Sequence, residues 1–150
     1  MRRRPAARLL LLDADERVLL LRNASEGGYW YTPGGAVEQD ESYEAAAIRE
    51  LREELGLDVV DVGEPIGERT FHLELTSGER VVAEERFFAV RRDGREISLD
   101  RWADAERQFV TGYRWWSRGE LLATRDTVFP EHLAEILANV ISRPNARMET

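Results

Sequence analysis

Apolar residues recur along the chain in two rhythms. Ala7 to Leu12 and Val18 to Arg22 are short apolar runs around the charged segment 13–17. They predict a β-hairpin, although their leucine-rich composition leaves a helix open. A polar loop over 23–28 leads to the aromatic strand Tyr29–Tyr31, which ends at the turn signal Thr32-Pro33-Gly34-Gly35, with Ala36 and Val37 as one more extended piece. The period then changes. Ile48, Leu51 and Leu55 stand at i, i+3 and i+7, the stripe of a helix running from an N-cap at Asp40, with Glu41 in its first turn, to a C-terminal glycine at Gly56. Leu57 to Val62 predicts a strand. Gly67–Leu75 and Glu79–Arg91 predict a second hairpin around Thr76-Ser77-Gly78, the latter run apolar at both parities, as in a strand covered on both faces. Ser98 to Thr111 has no clear period, and Tyr113 to Trp116 reads as the last strand, with Trp115 and Trp116 facing opposite sides. Ser117 with Glu120 forms a capping box for a short helix through Leu122. After Phe129-Pro130, the stripe Leu133, Ile136, Leu137, Val140 and Ile141 marks a terminal helix.

This order predicts one α/β domain over residues 1–150, a mixed sheet between helices, with about 1–6 and 143–150 as flexible tails and Arg2-Arg3-Arg4 solvated. A chain of 150 residues is long enough for a real core. Its net charge of −8 argues against general affinity for nucleic-acid backbone or anionic membranes. With no cysteine there is no disulfide, thiol nucleophile or cysteine-based zinc site. The basic N-terminus fails as a signal peptide, because Arg8 interrupts the apolar run and no cleavage site follows. No run approaches a transmembrane length, so the cytoplasm is the default location.

The charge pattern of the central helix changes the picture. Glu50, Glu53 and Glu54 share one face at i, i+3 and i+4, where like charges repel by roughly 0.2–0.5 kcal/mol per pair. They also crowd the negative end of the helix dipole. Such a face suits a divalent cation better than it suits a helix alone; its bland alternative is a solvated acidic face. An anionic ligand in so acidic a chain would need that cation's charge.

Gly35, Glu41, Arg49, Glu50, Leu51, Glu53, Glu54, Gly56 and Leu57 stand at the spacing G-x5-E-x7-R-E-U-x-E-E-x-G-U, with U a bulky aliphatic, and Trp30-x-x-Pro33-Gly34 precedes them. Every defined position is filled. The stretch resembles the box of the Nudix hydrolases, and the later Arg114-Trp115-Trp116-Ser117 is similar to many bacterial members. The resemblance implies an α/β/α sandwich and hydrolysis of a diphosphate linking a nucleoside to another moiety X. It implies Mg²⁺, with Mn²⁺ as the alternative, held by Glu50, Glu53, Glu54 and the Gly34 carbonyl. Hard oxygen donors agree with that choice. Arg49 would orient Glu50, Glu41 would brace the loop by pairing with Arg49, and Gly35 and Gly56 would allow tight turns. The general base stays open among Glu50, Glu53, Glu85 and Glu106.

Outside the box the signals are weaker. Glu85, before Arg86-Phe87-Phe88, is a candidate further metal ligand, with a salt bridge to an arginine nearly as good a reading. Arg22 and Arg86 are candidate phosphate contacts; Trp30 and Phe71, with Tyr29, are candidate stacking surfaces or plain sheet packing. His72 is more readily structural than catalytic. Signatures of ADP-ribose, diadenosine polyphosphate and coenzyme A hydrolases are not evident beyond the box. The expected partner is a small nucleoside diphosphate derivative, with no nucleic-acid polymer or membrane, and a homodimer is one state the family allows. The alternative function is a Nudix-fold sensor that binds a nucleotide without cleaving it.

Overall fold

The structure is a computed structural model that describes residues 1–94, 97 and 109–141. Its elements are β1 (Arg2–Leu12), β2 (Val18–Asn23), β3 (Tyr29–Tyr31), β4 (Gly34–Ala36), α1 (Tyr43–Leu55), β5 (Gly67–Glu74), β6 (Arg80–Arg91), β7 (Val110–Trp116), α2 (Arg118–Ala123), β8 (Val128–Phe129) and α3 (Leu133–Ile141). Among the described residues eight strands form one mixed sheet, ordered β5-β6-β1-β2-β3-β8, with β4 also paired to β1 and β7 to β2. The two predicted hairpins are present, β1 with β2 and β5 with β6, both antiparallel. What joins them is a long parallel ladder between β1 and β6, from Arg2 opposite Val81 to Leu12 opposite Arg91.

That ladder explains the two apolar parities. Leu9, Leu11, Leu19, Phe88 and Val90 pack under α1, through Ala46, Ala47, Leu51 and Leu55. Leu10, Leu12, Leu20, Phe87 and Ala89 face the other way, onto α3 through Leu133, Ile136, Leu137 and Val140. The result is a sheet covered on both sides, an α/β sandwich. Trp116 is buried in the second layer while Trp115 packs against the first, as consecutive strand residues must.

Several expected boundaries are corrected. The N-terminal arginines are not a tail: β1 begins at Arg2, and Arg2 and Arg3 pair with Glu79 and Glu84 across the ladder. Asp40 does not cap α1; it sits in a left-handed turn at φ 64°, and Ser42 takes the cap by accepting from the Ala45 N–H. Glu41 therefore precedes the helix, and Glu44 occupies its first turn. Leu57–Val62 makes no ladder; Val59 and Val62 instead plug the α1 layer, which uses their apolarity without strand pairing. β7 is not the last strand, since β8 follows and pairs in parallel with β3. The aperiodic segment lies outside the described residues over 98–108, as does the expected tail 143–150. No helix among the described residues is long and apolar enough to cross a membrane.

The capping box of α2 is present: Ser117 Oγ accepts from the Glu120 N–H, and a Glu120 oxygen accepts from the Ser117 N–H. Replacing Ser117 by alanine is expected to cost about 0.5–2 kcal/mol in urea unfolding. The Ser117 N–H, then its hydroxyl and Arg114, hold the Glu120 carboxyl below its ordinary range. That contribution is present above the ordinary carboxylate pKa and fades as pH falls through the depressed one. Alanine keeps the Ser117 N–H, so the variant loses only the hydroxyl's smaller share, and its gap to wild type is expected to narrow slightly in acid.

Candidate active site

The start of α1 and the turn before it form one unit. Gly34 adopts φ 138°, and a Cβ there would lie 2.1 Å from the Ala7 carbonyl oxygen, so only glycine fits between β4 and β1. This closeness aims the Gly34 N–H at Glu54 Oε1, 2.7 Å away. A Cβ on Gly35 would stand 2.5 Å from Glu50 Oε1, so the second glycine makes room for the other carboxyl. Gly56, at φ 69°, closes the helix by donating to Arg52 and Leu51 carbonyls.

Glu54 is buried, and its carboxyl is pushed well above the usual range, first by burial and then by the charge of Glu50; the Gly34 N–H and Arg8 pull the other way. Arg49 organises the rest. Its Nε and Nη2 grip both oxygens of Glu41 at 2.8 and 3.0 Å, and Nη2 also donates to the Ala36 carbonyl at 3.0 Å. Its Nη1 donates to Glu50 at 2.9 Å and Glu53 at 3.2 Å. The expected Glu41–Arg49 pair is therefore bidentate, and the Arg49 hydrogen bond is the main reason the Glu41 carboxyl sits below its ordinary range. Glu53 is solvent-facing, its side chain 59 % exposed.

Among the described residues, no three acidic, histidine or cysteine side chains already converge as a closed cation site. Glu50 and Glu54 stand together, while Glu53 rests on Arg49. The donor set nonetheless fits a hard divalent cation. Two crowded carboxyls, one of them buried, carry a repulsion that such a cation would remove.

Beside them lies a cavity of about 640 Å³ walled by Tyr29, Tyr31, Phe71 and Phe129, with Arg8, Arg69 and Glu85 among its charged lining. The two regions touch electrostatically. Burial, then the charge of Glu54, raises the Tyr31 hydroxyl above its ordinary range. Arg8 stands opposite Gly34 in the β1–β4 register.

Of the candidates read from the sequence, Phe71 lines this cavity. Trp30 does not: its ring packs 5.2 Å from that of Trp116 and its indole N–H donates to Asp126, so the packing alternative describes it. Arg22 lies over the Trp30 ring, 5.4 Å from its centroid. Arg86 is exposed and stacks on Tyr43, 4.2 Å from its ring centre. Glu85 has both oxygens occupied by Arg8 and Arg69, the salt-bridge alternative read from the sequence. His72 is exposed on β5, at the opposite parity to Phe71. Glu106 lies outside the described residues. Sequence reasoning missed Arg8 and Arg69. The available signal was parity: Arg69 and Phe71 share one face of β5, and Arg69 stands directly opposite Glu85.

The family model described as "NUDIX domain" matches residues 2–139. An uncharacterized Nudix hydrolase, YvcI, of Bacillus subtilis (strain 168) is 35 % identical over 78 residues, 52 % of this chain and 47 % of that protein. A CTP pyrophosphohydrolase of Escherichia coli (strain K12) is 34 % identical over 95 residues, 61 % of this chain and 56 % of that protein. The matches thus span about half the length of these relatives. A MutT protein from Methanosarcina mazei Go1 superposes with a TM-score of 0.67 at 22 % identity, covering 94 % of both chains, a likeness of fold.

Proposed function

The chain belongs to the Nudix family, and on that premise we propose that it hydrolyses a diphosphate linkage in a nucleoside diphosphate derivative, with Mg²⁺, or Mn²⁺ in its place, as cofactor. The observation that carries this reading is the Glu50–Glu54 pair, held by Gly34 and Gly35 beside an aromatic-walled cavity. Glu50, Glu53 and Glu54 would hold the cation, with the Gly34 carbonyl as a further hard oxygen. When bound, the cation supplies charge neutralisation at phosphate oxygens and acidifies water.

The protein's own groups do the positioning. Arg49 holds Glu50 against the Gly35 turn and keeps Glu53 within reach at the solvent side. Glu41 fixes Arg49 in turn, so the orientation of the acids rests on a bidentate pair rather than on one flexible side chain. Tyr29, Tyr31, Phe71 and Phe129 offer flat apolar surface for a base and exclude water beside the acids.

The test is release of phosphate or pyrophosphate with Mg²⁺ across nucleoside triphosphates, nucleotide sugars and dinucleoside polyphosphates. CTP belongs in the panel because one relative carries that activity in its name. Turnover of at least one compound is expected, and Glu53→Gln is expected to lower it by about 100-fold with an unchanged melting temperature. Tight nucleotide binding with no turnover on any compound would instead establish a sensor.

A further inference from the structure

The cavity holds a charge arrangement that the acidic helix does not use. Glu85 is only 6 % exposed; its Oε2 accepts from Arg8 Nε at 2.8 Å and its Oε1 from Arg69 Nη1 at 3.2 Å. Arg69 makes contacts on both ends of its fork. Its Nη2 donates to Glu131 at 2.6 Å, and its guanidinium lies 3.9 Å from the centre of the Phe71 ring. Arg8 differs. Among the described residues only its Nε makes a hydrogen bond, and its side chain remains 23 % exposed. Nη1 and Nη2 of its guanidinium make no hydrogen bond to the described residues, and Arg8 is among the residues that line the cavity.

The location of that fork is specific. Arg8 pairs across from Gly34, whose N–H holds Glu54, and its charge is felt by both Glu54 and Tyr31. It therefore stands between the acidic pair and the aromatic walls. Arg69 divides its charge between Glu85 and Glu131, whereas Arg8 is ion-paired with Glu85 alone. A planar fork with two open N–H edges matches the geometry of phosphate oxygens better than that of a base or a sugar hydroxyl. Arg22 and Arg86, the two phosphate-contact candidates read from the sequence, lie over Trp30 and Tyr43 instead.

We propose that Arg8 is the specificity residue that anchors the phosphate on the nucleoside side of the scissile bond, and that Glu85 is the positioning residue that aims it. This assignment rests on the diphosphate-hydrolase reading of the neighbouring acids. Glu85 orients Arg8 through Nε, which leaves the fork pointing outward, and Arg69 keeps Glu85 from rotating. A charge-assisted bidentate contact of this kind is worth about 10–100-fold in affinity.

The experiment compares calorimetric binding of cytidine with 5′-CMP, and of guanosine with 5′-GMP, to wild type, Arg8→Gln, Arg8→Lys and Glu85→Gln, all with Mg²⁺. Wild type is expected to bind at least one monophosphate more tightly than its nucleoside. Arg8→Gln is expected to cut that preference by about 10–100-fold while leaving nucleoside affinity unchanged. Arg8→Lys, which keeps the charge without the fork, should restore part of it. Glu85→Gln should weaken it severalfold, again without moving nucleoside affinity, and in turnover both variants should raise KM more than they lower kcat. The assignment is overturned if wild type binds nucleoside and monophosphate equally, or if Arg8→Gln leaves the preference intact. Equal weakening of both ligands would also overturn it, since that is what a purely structural role produces. Should Arg8→Gln melt below the assay temperature, Arg8→Lys carries the comparison. Loss of the preference in a chain that turns over no diphosphate would sink the hydrolase reading alone; turnover with the preference untouched in Arg8→Gln would sink only the anchor.

Discussion

Glu54→Gln is expected to lower turnover by about 10²–10³-fold while leaving the chain at least as stable as wild type in EDTA. Glutamine keeps an oxygen to accept the Gly34 N–H, so the tie between α1 and the turn before it survives. What disappears is a buried charge that burial and the carboxyl of Glu50 both disfavour. Removing such a charge is neutral or stabilising when its shape and hydrogen bond are retained. Activity suffers because a carboxylate that would hold the cation is gone, and that electrostatic contribution is worth several kcal/mol at the transition state. Melting in EDTA and turnover with Mg²⁺, measured side by side, separate the two effects. Near wild-type turnover would remove Glu54 from the site, and a large drop in melting temperature would show that its charge holds the fold.

The second large effect is structural in origin. Gly34→Ala is expected to cost about 2–6 kcal/mol: roughly 1–3 for a non-glycine residue in this backbone region and about 1–3 for overpacking. The added Cβ would lie 2.1 Å from the Ala7 carbonyl oxygen and 2.9 Å from the Cα of Arg8, both backbone atoms that cannot rotate away. β4 would have to leave β1, which displaces the N–H that holds Glu54 and shifts Arg8 with it. Urea unfolding reads the stability loss. Gly27→Ala is the control, since Gly27 also has a positive φ, 83°, but has nothing within 4 Å of an added Cβ. Comparable losses at both positions would place the cost in backbone conformation alone, without the close approach of β1.

The extent to which this protein is legible differs by the range of the interaction concerned. The helix α1, its closing glycine and the α2 capping box are short-range features. Their determinants lie within a few residues of one another, so spacing along the chain is spacing in space. The same holds for the Glu41–Arg49 pair and for the crowding of Glu50 and Glu54, which follow from helix period plus one turn. Even locally, competition between caps was decided by geometry: Ser42 presents its oxygen to the Ala45 N–H, whereas Asp40 is turned away in a left-handed conformation.

The sequence by itself thus determined the acidic platform, the family box and the two hairpins, because each depends on neighbours in the chain. Only the tertiary structure decided what the platform faces. Arg8 and Glu85 meet because β1 and β6 run in parallel, and a parallel pair requires a long crossover whose register no local signal encodes. That ladder gave Glu85 the first of its two arginines, Arg8, while the β5–β6 hairpin gave it Arg69. The ladder buried alternating leucines on opposite faces and brought Arg8 beside the glycine turn of the box. Side-chain type along a strand predicts which groups share a face; which strands lie side by side sets which of those groups touch, and here that pairing built the cavity.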